Sequence, residues 1–256
     1  MPSTAIMIGS TLLPVQNFEI DGNAVTIAAG HWYLQHPDPT LSLLDEIVVQ
    51  LTAAGVGSPD AFLRQDRRVQ LEGSGAFPID WGSATQLRDI FGMTQGNLSS
   101  ATSHTADDVS PLLWAPGADG TPATIGAKAG YVQPHRSVRK SDDGSRYEVD
   151  WYGFETRQRL SWALVPIDRL QVEDTAFDGG TLMAFVEQVI LRGYKFLHYE
   201  NVTEGTGSTA MVFGDPFGPY VELSLQNSDV LRRLVANADD YGGGVEFSLL
   251  NTAEYD

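Results

Sequence analysis

The stretch Arg67–Gly92, RRVQLEGSGAFPIDWGSATQLRDIFG, decides how this chain is read. Val69 and Leu71 alternate with polar neighbours, the period of a half-buried strand. Gly73-Ser74-Gly75 reads as a tight turn. Ala76, Phe77, Ile79 and Trp81 read as a second strand. Ser83 with Gln86 three residues on has the spacing of a capping box, so a short helix is expected to open there. Leu87, Ile90 and Phe91 give it an apolar face, and Gly92 follows where a left-handed cap belongs. The stretch therefore predicts strand, turn, strand and capped helix. None of these residues forms a known reactive group.

Working outward, residues 1–23 hold two apolar pieces, Ile6-Met7-Ile8 and Leu12-Leu13-Pro14-Val15, broken by Gly9 and Pro14, and read as an edge strand or a docking arm. Asp21-Gly22-Asn23 predicts a turn into a strand over Ala24–Ala28. Asp38 followed by Pro39 is a good helix start. Leu41, Leu44, Val48 and Leu51 recur at helical spacing until Gly55, and residues 56–66 read as a loop. Met93–His104 is polar and also reads as a loop. Residues 115–130 are rich in Gly, Ala and Pro and predict a linker or extended arm. Asp142-Asp143-Gly144 predicts a hairpin, with Tyr147, Val149 and Trp151 on the returning strand. Gly179-Gly180-Thr181 introduces a helix carrying Leu182, Phe185, Val186, Val189 and Ile190, ended by Arg192-Gly193. Strands follow at Tyr194–Val202, Ala210–Phe213, Pro219–Leu225 and Val245–Leu250, with a helix after Ser228.

Together these predict a β-rich α+β fold. Its divisions are an N-terminal arm (1–23), a first half (24–115), a linker or arm (116–130) and a second half (131–256). Each half has the strand and helix order of a split βαβ, ferredoxin-like unit.

With 256 residues and 42% hydrophobic content, the chain can bury a sizeable core. It has no cysteine, which excludes disulfides, thiolate metal sites and cysteine nucleophiles. No segment approaches the roughly 20 apolar residues that span a bilayer, so no membrane insertion is expected. Sixteen Lys and Arg stand against 33 Asp and Glu, a net charge of −17. That balance argues against a broad nucleic-acid surface, although Arg136, Arg139 and Lys140 form a local basic patch. The cations are mostly arginine, which fits either a high-salt setting or codon bias.

The chemistry-bearing residues are scattered. His31 and His36 lie across a turn without a partner at ligand spacing, and His198 reads as a half-exposed strand residue. Asp142-Asp143 lacks the alternating acids of a calcium loop, and Asp239-Asp240 reads as a helix exit. Asp150 and Glu155 keep the company of Trp151 and Tyr152, as sugar-site acids do, but this is also ordinary strand composition. Gly242-Gly243-Gly244 is not followed by a lysine or a helix, unlike a phosphate loop. Phe217, in a rigid Gly/Pro turn, reads as a core residue or an anchor for a neighbour. No catalytic, cofactor-binding or metal-ligating residue is expected.

A resemblance adds to this reading. It is carried by Gly30-His31-Trp32-Tyr33-Leu34, the helix Leu41-Ser42-Leu43-Leu44-Asp45-Glu46-Ile47, the strand pair with Gly73, and Ile79-Asp80-Trp81. Leu87-Arg88-Asp89-Ile90-Phe91-Gly92-Met93 and the polar loop behind it complete the pattern. Residues 24–115 thereby resemble virion structural proteins of tailed bacteriophages and related archaeal viruses. The order Ile90-Phe91-Gly92-Met93 departs from the commoner Leu-Gly-Phe. The resemblance implies a non-enzymatic virion component, a homo-oligomeric ring in the tail, neck or baseplate. Its partners would be copies of itself and neighbouring tail or neck proteins, through arms at 1–16 and 93–130. The rival expectations are a carbohydrate- or host-surface-binding module at a tail tip, using Trp32, Trp151 or Trp162, and a hydrolase assembled from distant residues.

Overall fold

The computed structural model describes residues 4–115, 128–140, 146–162, 180–204, 210–220, 222–225 and 245–252. In chain order the elements are β1 (Thr4–Leu13), β2 (Gln16–Ile20), β3 (Asn23–Ile27), β4 (Gly30–Tyr33), α1 (Leu43–Ala53), β5 (Asp60–Leu63), β6 (Arg68–Asp80), α2 (Thr85–Ile90), β7 (Leu98–Val109) and β8 (Leu113–Trp114). They continue with β9 (Lys128–Lys140), β10 (Arg146–Trp162), α3 (Leu182–Phe185), β11 (Phe196–Glu204), β12 (Met211–Phe213), β13 (Phe217–Tyr220), β14 (Glu222–Leu225) and β15 (Val245–Thr252). The predicted class, a strand-rich α+β fold, is the one that forms.

Three sheets result. β1 and β11 form the centre of the first, with β4 and β8 on β1 and β12 and β13 on β11. The second runs β3-β2-β6-β5, with β7 also on β6. The third runs β14-β15-β10-β9.

The first correction concerns residues 4–13. They form a strand, neither an arm nor at an edge: the first sheet is built on it. Ile6, Met7 and Ile8 are all fully buried. A strand covered on both faces needs a continuous apolar run and not an alternating one. Met7 and Ile8 pair with Trp114 and Leu113 on one side and with His198 and Leu197 on the other.

Gly73-Ser74-Gly75 does not reverse the chain. β6 runs straight through it for 13 residues. Between the pairs Glu72–Ser103 and Phe77–Ala101, β6 carries more residues than β7 and swells into a bulge. The 55–58 loop holds that bulge: Ser74 N–H donates to the Gly57 carbonyl at 2.7 Å. A Cβ on Gly73 would lie 2.5 Å from Val56 Cγ1, so any larger residue forces Val56 to shift. The polar stretch after Met93, read as a loop and as part of an arm over 93–130, becomes β7 from Leu98 onward. β7 turns Leu98, His104 and Ala106 inward and leaves Ser and Thr to solvent. Residues 56–66, also read as a loop, contain β5.

Local signals fared better. Asp21 and Gly22 both adopt positive φ, 51° and 75°, giving the two-residue type I′ turn between β2 and β3. Asp38 caps a 3-10 turn over Pro39–Leu41 by accepting from Thr40 N–H. The main helix, α1, starts later than the Asp38-Pro39 signal placed it: Ser42 caps it, Leu41 lies outside it and exposed, and it buries Leu43, Leu44, Ile47 and Leu51. Thr181 caps α3, and the helix widens into a π turn over Val186–Ile190. Gly92 takes the left-handed φ of 72° expected after α2. That helix starts later than the Ser83 signal placed it: its N-cap is Ala84, which makes no side-chain cap bond.

The split βαβ pairing does not form among the described residues. Such a unit needs two parallel neighbouring strands, and every ladder between the named strands is antiparallel. β4, which leads into α1, joins β1 instead of β6. Nor does the chain divide at 116–130 into two separate halves. Leu182, Phe185, Val189, Phe196, Leu197, Tyr199 and Val202 share one core with Ile6 through Ala115. Residues 128–130 already belong to β9. The remainder of the predicted linker, the Asp142-Asp143-Gly144 turn and the helix after Ser228 lie outside the described residues.

Candidate functional site

His198 is fully buried on β11, not half-exposed. Burial pulls its pKa down to about 4, so the imidazole is neutral over the physiological range. His104 is buried too, its Nε2 2.7 Å from the Phe77 carbonyl and its ring edge-on to that phenyl group. His31 packs edge-on to Tyr194. His36 Nδ1 accepts from Asp38 N–H at 2.9 Å. The histidines therefore sit at separate places in the fold. Among the described residues no group of three His, Asp or Glu could hold a metal ion.

Asp38 serves as a cap, and the hydroxyl of Thr40 followed by its N–H holds the carboxyl below the usual carboxylate range. Asp107 is held low as well. Desolvation pushes it upward, but the Thr94 hydroxyl and the backbone N–H groups of Asp107, Thr94 and Gln95 outweigh that push. Both acids stabilise turns and face no reacting partner.

Trp32 is half-buried, with its indole N–H donating to the Ala28 carbonyl at 3.2 Å. Trp81 and Trp114 are core residues. The side chains of Trp151, Trp162, Asp150, Glu155 and Phe217 lie outside the described residues, as do Asp239, Asp240 and Gly242–Gly244.

Sequence reasoning missed two features. One is a cleft of about 730 Å³ between α2, the π turn and the end of β1. Its walls include Thr11, Gln86, Asp89, Asp108, Gln188 and Arg192. They offer hydroxyls, amides, two carboxylates and a guanidinium, but no aromatic face and no imidazole. Gln188 of the π turn and Arg192 just after it both line this cleft.

The other is the extent of the β9–β10 ribbon. β10 is 17 residues long and β9 is 13. β15 covers β10 only from Glu155 to Trp162. From Arg146 to Phe154, β10 pairs with β9 alone among the described residues. Nine residues of strand extend about 30 Å. The register slips between Asp150 and Phe154, opposite Pro134, where proline cannot donate to a ladder. The basic residues Arg136, Arg139 and Lys140 all lie on this two-stranded part.

No helix among the described residues is long and apolar enough to cross a membrane. Compared with known proteins, the chain matches no family model, no curated protein and no solved structure.

Proposed function

We propose that the chain is a non-enzymatic virion structural protein of a tailed virus. It assembles as a homo-oligomeric ring or ring-like component of the tail, neck or baseplate. The observation that carries this reading is the β9–β10 ribbon, which among the described residues extends past its pairing with β15. A two-stranded antiparallel ribbon is marginal in water by itself. A neighbouring chain that covers it, or adds a strand along β9, supplies the missing packing and backbone hydrogen bonds. Repeated head to tail with a closing rotation, such a contact makes a ring. The resemblance of residues 24–115 to virion proteins supports the viral setting.

Light scattering coupled to size exclusion, with negative-stain imaging of the peak, tests the assembly. Mass spectrometry of purified particles tests the setting. Closed rings and a place in the particle are expected. A chain that stays monomeric across the accessible concentration range, and that no virion contains, overturns the proposal.

A further inference from the structure

The cleft between α2, the π turn and the end of β1 is lined by polar side chains that the fold leaves without partners. Thr11 is only 4% exposed and borders the cleft, yet its hydroxyl makes no hydrogen bond among the described residues. Gln86 and Gln188 border it too, and their amides have no hydrogen-bond partner among the described residues. The pattern is local. The hydroxyl of the adjacent Ser10 donates to the Lys195 carbonyl at 2.8 Å, and that of Thr94 donates to Asp107. A buried hydroxyl without a partner is costly, and native folds leave few of them. Thr11 therefore points to a group that enters the cleft. Gln188 belongs to the π turn, a break in helical geometry that recurs at functional sites.

The charges on the walls are not equivalent. Asp89 Oδ1 already accepts from Arg88, from Nε at 2.9 Å and from Nη2 at 2.7 Å. Asp108 Oδ1 accepts from the Val109 N–H at 2.7 Å. Arg192 is the one cation lining the cleft, and among the described residues it makes no ion pair. Ile90 and Leu112, both buried, add an apolar part to the lining.

We propose that this cleft binds a small monocarboxylate that also carries neutral hydrogen-bonding groups, with its carboxylate on Arg192. The planar guanidinium fork matches a carboxylate with two parallel hydrogen bonds. The Thr11 hydroxyl and the Gln86 and Gln188 amides can each donate and accept, which suits hydroxyls or amides on the rest of the ligand. Phosphates and polyanions are disfavoured by Asp89 and Asp108 on the walls and by the net charge of −17. A volume of about 730 Å³ is that of a pocket for a small organic molecule. A sugar acid and an N-acylated amino acid share the required chemistry. The site stands independently of the assembly proposed above.

Titration of the full chain with glucuronate, N-acetylglycine, the methyl ester of each and inorganic phosphate tests this, read by calorimetry and by saturation-transfer NMR. At least one of the two carboxylates is expected to bind, with its ester and phosphate weaker by at least about tenfold. Arg192→Gln is expected to weaken carboxylate binding by at least about tenfold. Gln188→Glu, which sets a further negative charge in the cleft, is expected to do the same. Thr11→Val keeps the shape of the side chain without its hydroxyl and is expected to weaken binding, whereas Thr11→Ser keeps the hydroxyl and should retain it. Circular dichroism checks that each variant folds, and the exposed Arg192 gives a test that leaves the core untouched. Binding of glucuronate alone, or of N-acetylglycine alone, supports the site and names the source. Four results overturn it: neither acid binds, acid and ester bind equally, phosphate binds as tightly as the acids, or binding is unmoved by Arg192→Gln. Self-association plays no part in these readings, so a monomeric chain that binds keeps the cleft and removes only the ring.

Discussion

Val189 of the π turn lies so close to Gly9 of β1 that a Cβ on Gly9 would stand 2.3 Å from its Cγ2. Gly9 is held on both sides, its N–H donating to Leu112 and its carbonyl accepting from Leu34. Neither the strand nor the β-branched side chain can yield cheaply. Gly9→Ala is expected to cost about 1–3 kcal/mol by overpacking. Combined with Val189→Ala, the loss should fall short of the sum of the two single losses. Urea titrations of the three variants measure that coupling. Strict additivity would show that the two residues do not press on each other.

A second glycine test separates conformational strain from collision. Gly55 and Gly92 both have positive φ, 90° and 72°. Nothing lies within 4 Å of a Cβ built on Gly55, whereas one on Gly92 meets the Asp108 carbonyl oxygen at 2.3 Å. Gly55→Ala should cost about 1 kcal/mol, the left-handed penalty alone. Gly92→Ala should cost about 3 kcal/mol, because a backbone oxygen cannot rotate away. Equal losses in thermal unfolding would contradict the close approach at Gly92.

Removing residues 1–13 should abolish cooperative unfolding. Deletion of a docking arm would leave the melting transition in place. Deletion of β1 removes three fully buried side chains and the strand that β4, β8 and β11 pair with. Calorimetry of the shortened chain distinguishes the two outcomes.

His198 makes stability fall with acid in a defined window. Its ordinary pKa is 6.5, and burial lowers it to about 4 in the folded chain. Above pH 6.5 the ring is neutral folded or unfolded and has no effect. As pH drops from 6.5 towards 4, the unfolded chain takes up the proton and the folded chain does not. The loss approaches roughly 3 kcal/mol and then levels off. The depressed Asp107 acts lower, its contribution being lost as pH falls below 3.8. Denaturant titrations at pH 7 and pH 4.5 should show the loss in the wild type and a smaller one in His198→Gln. An unchanged pH dependence in the variant would assign the effect elsewhere.

What the sequence made legible was local. The Asp21-Gly22 turn, the cap at Asp38 and the Gly92 stop each rest on a few adjacent residues with one physical solution. Pairing was harder to read because it depends on residues far apart in the chain. Ile6-Met7-Ile8 looked like an arm because its covering partners, Trp114 and Leu197, lie about a hundred and two hundred positions downstream. Gly73-Ser74-Gly75 looked like a reversal because only the 55–58 loop reveals it as a bulge. The cleft beside α2 was not legible, since Thr11, Asp89 and Arg192 lie far apart in the chain and meet only in the fold.

The β1–β11 ladder joins Thr4 to Val202. During synthesis, the earliest strand must therefore wait for most of the polypeptide before its central neighbour exists. Pairings of such long separation form slowly. The three apolar residues at its middle stay open to wrong partners meanwhile, so chaperone demand should track the time taken to translate the interval between the two strands.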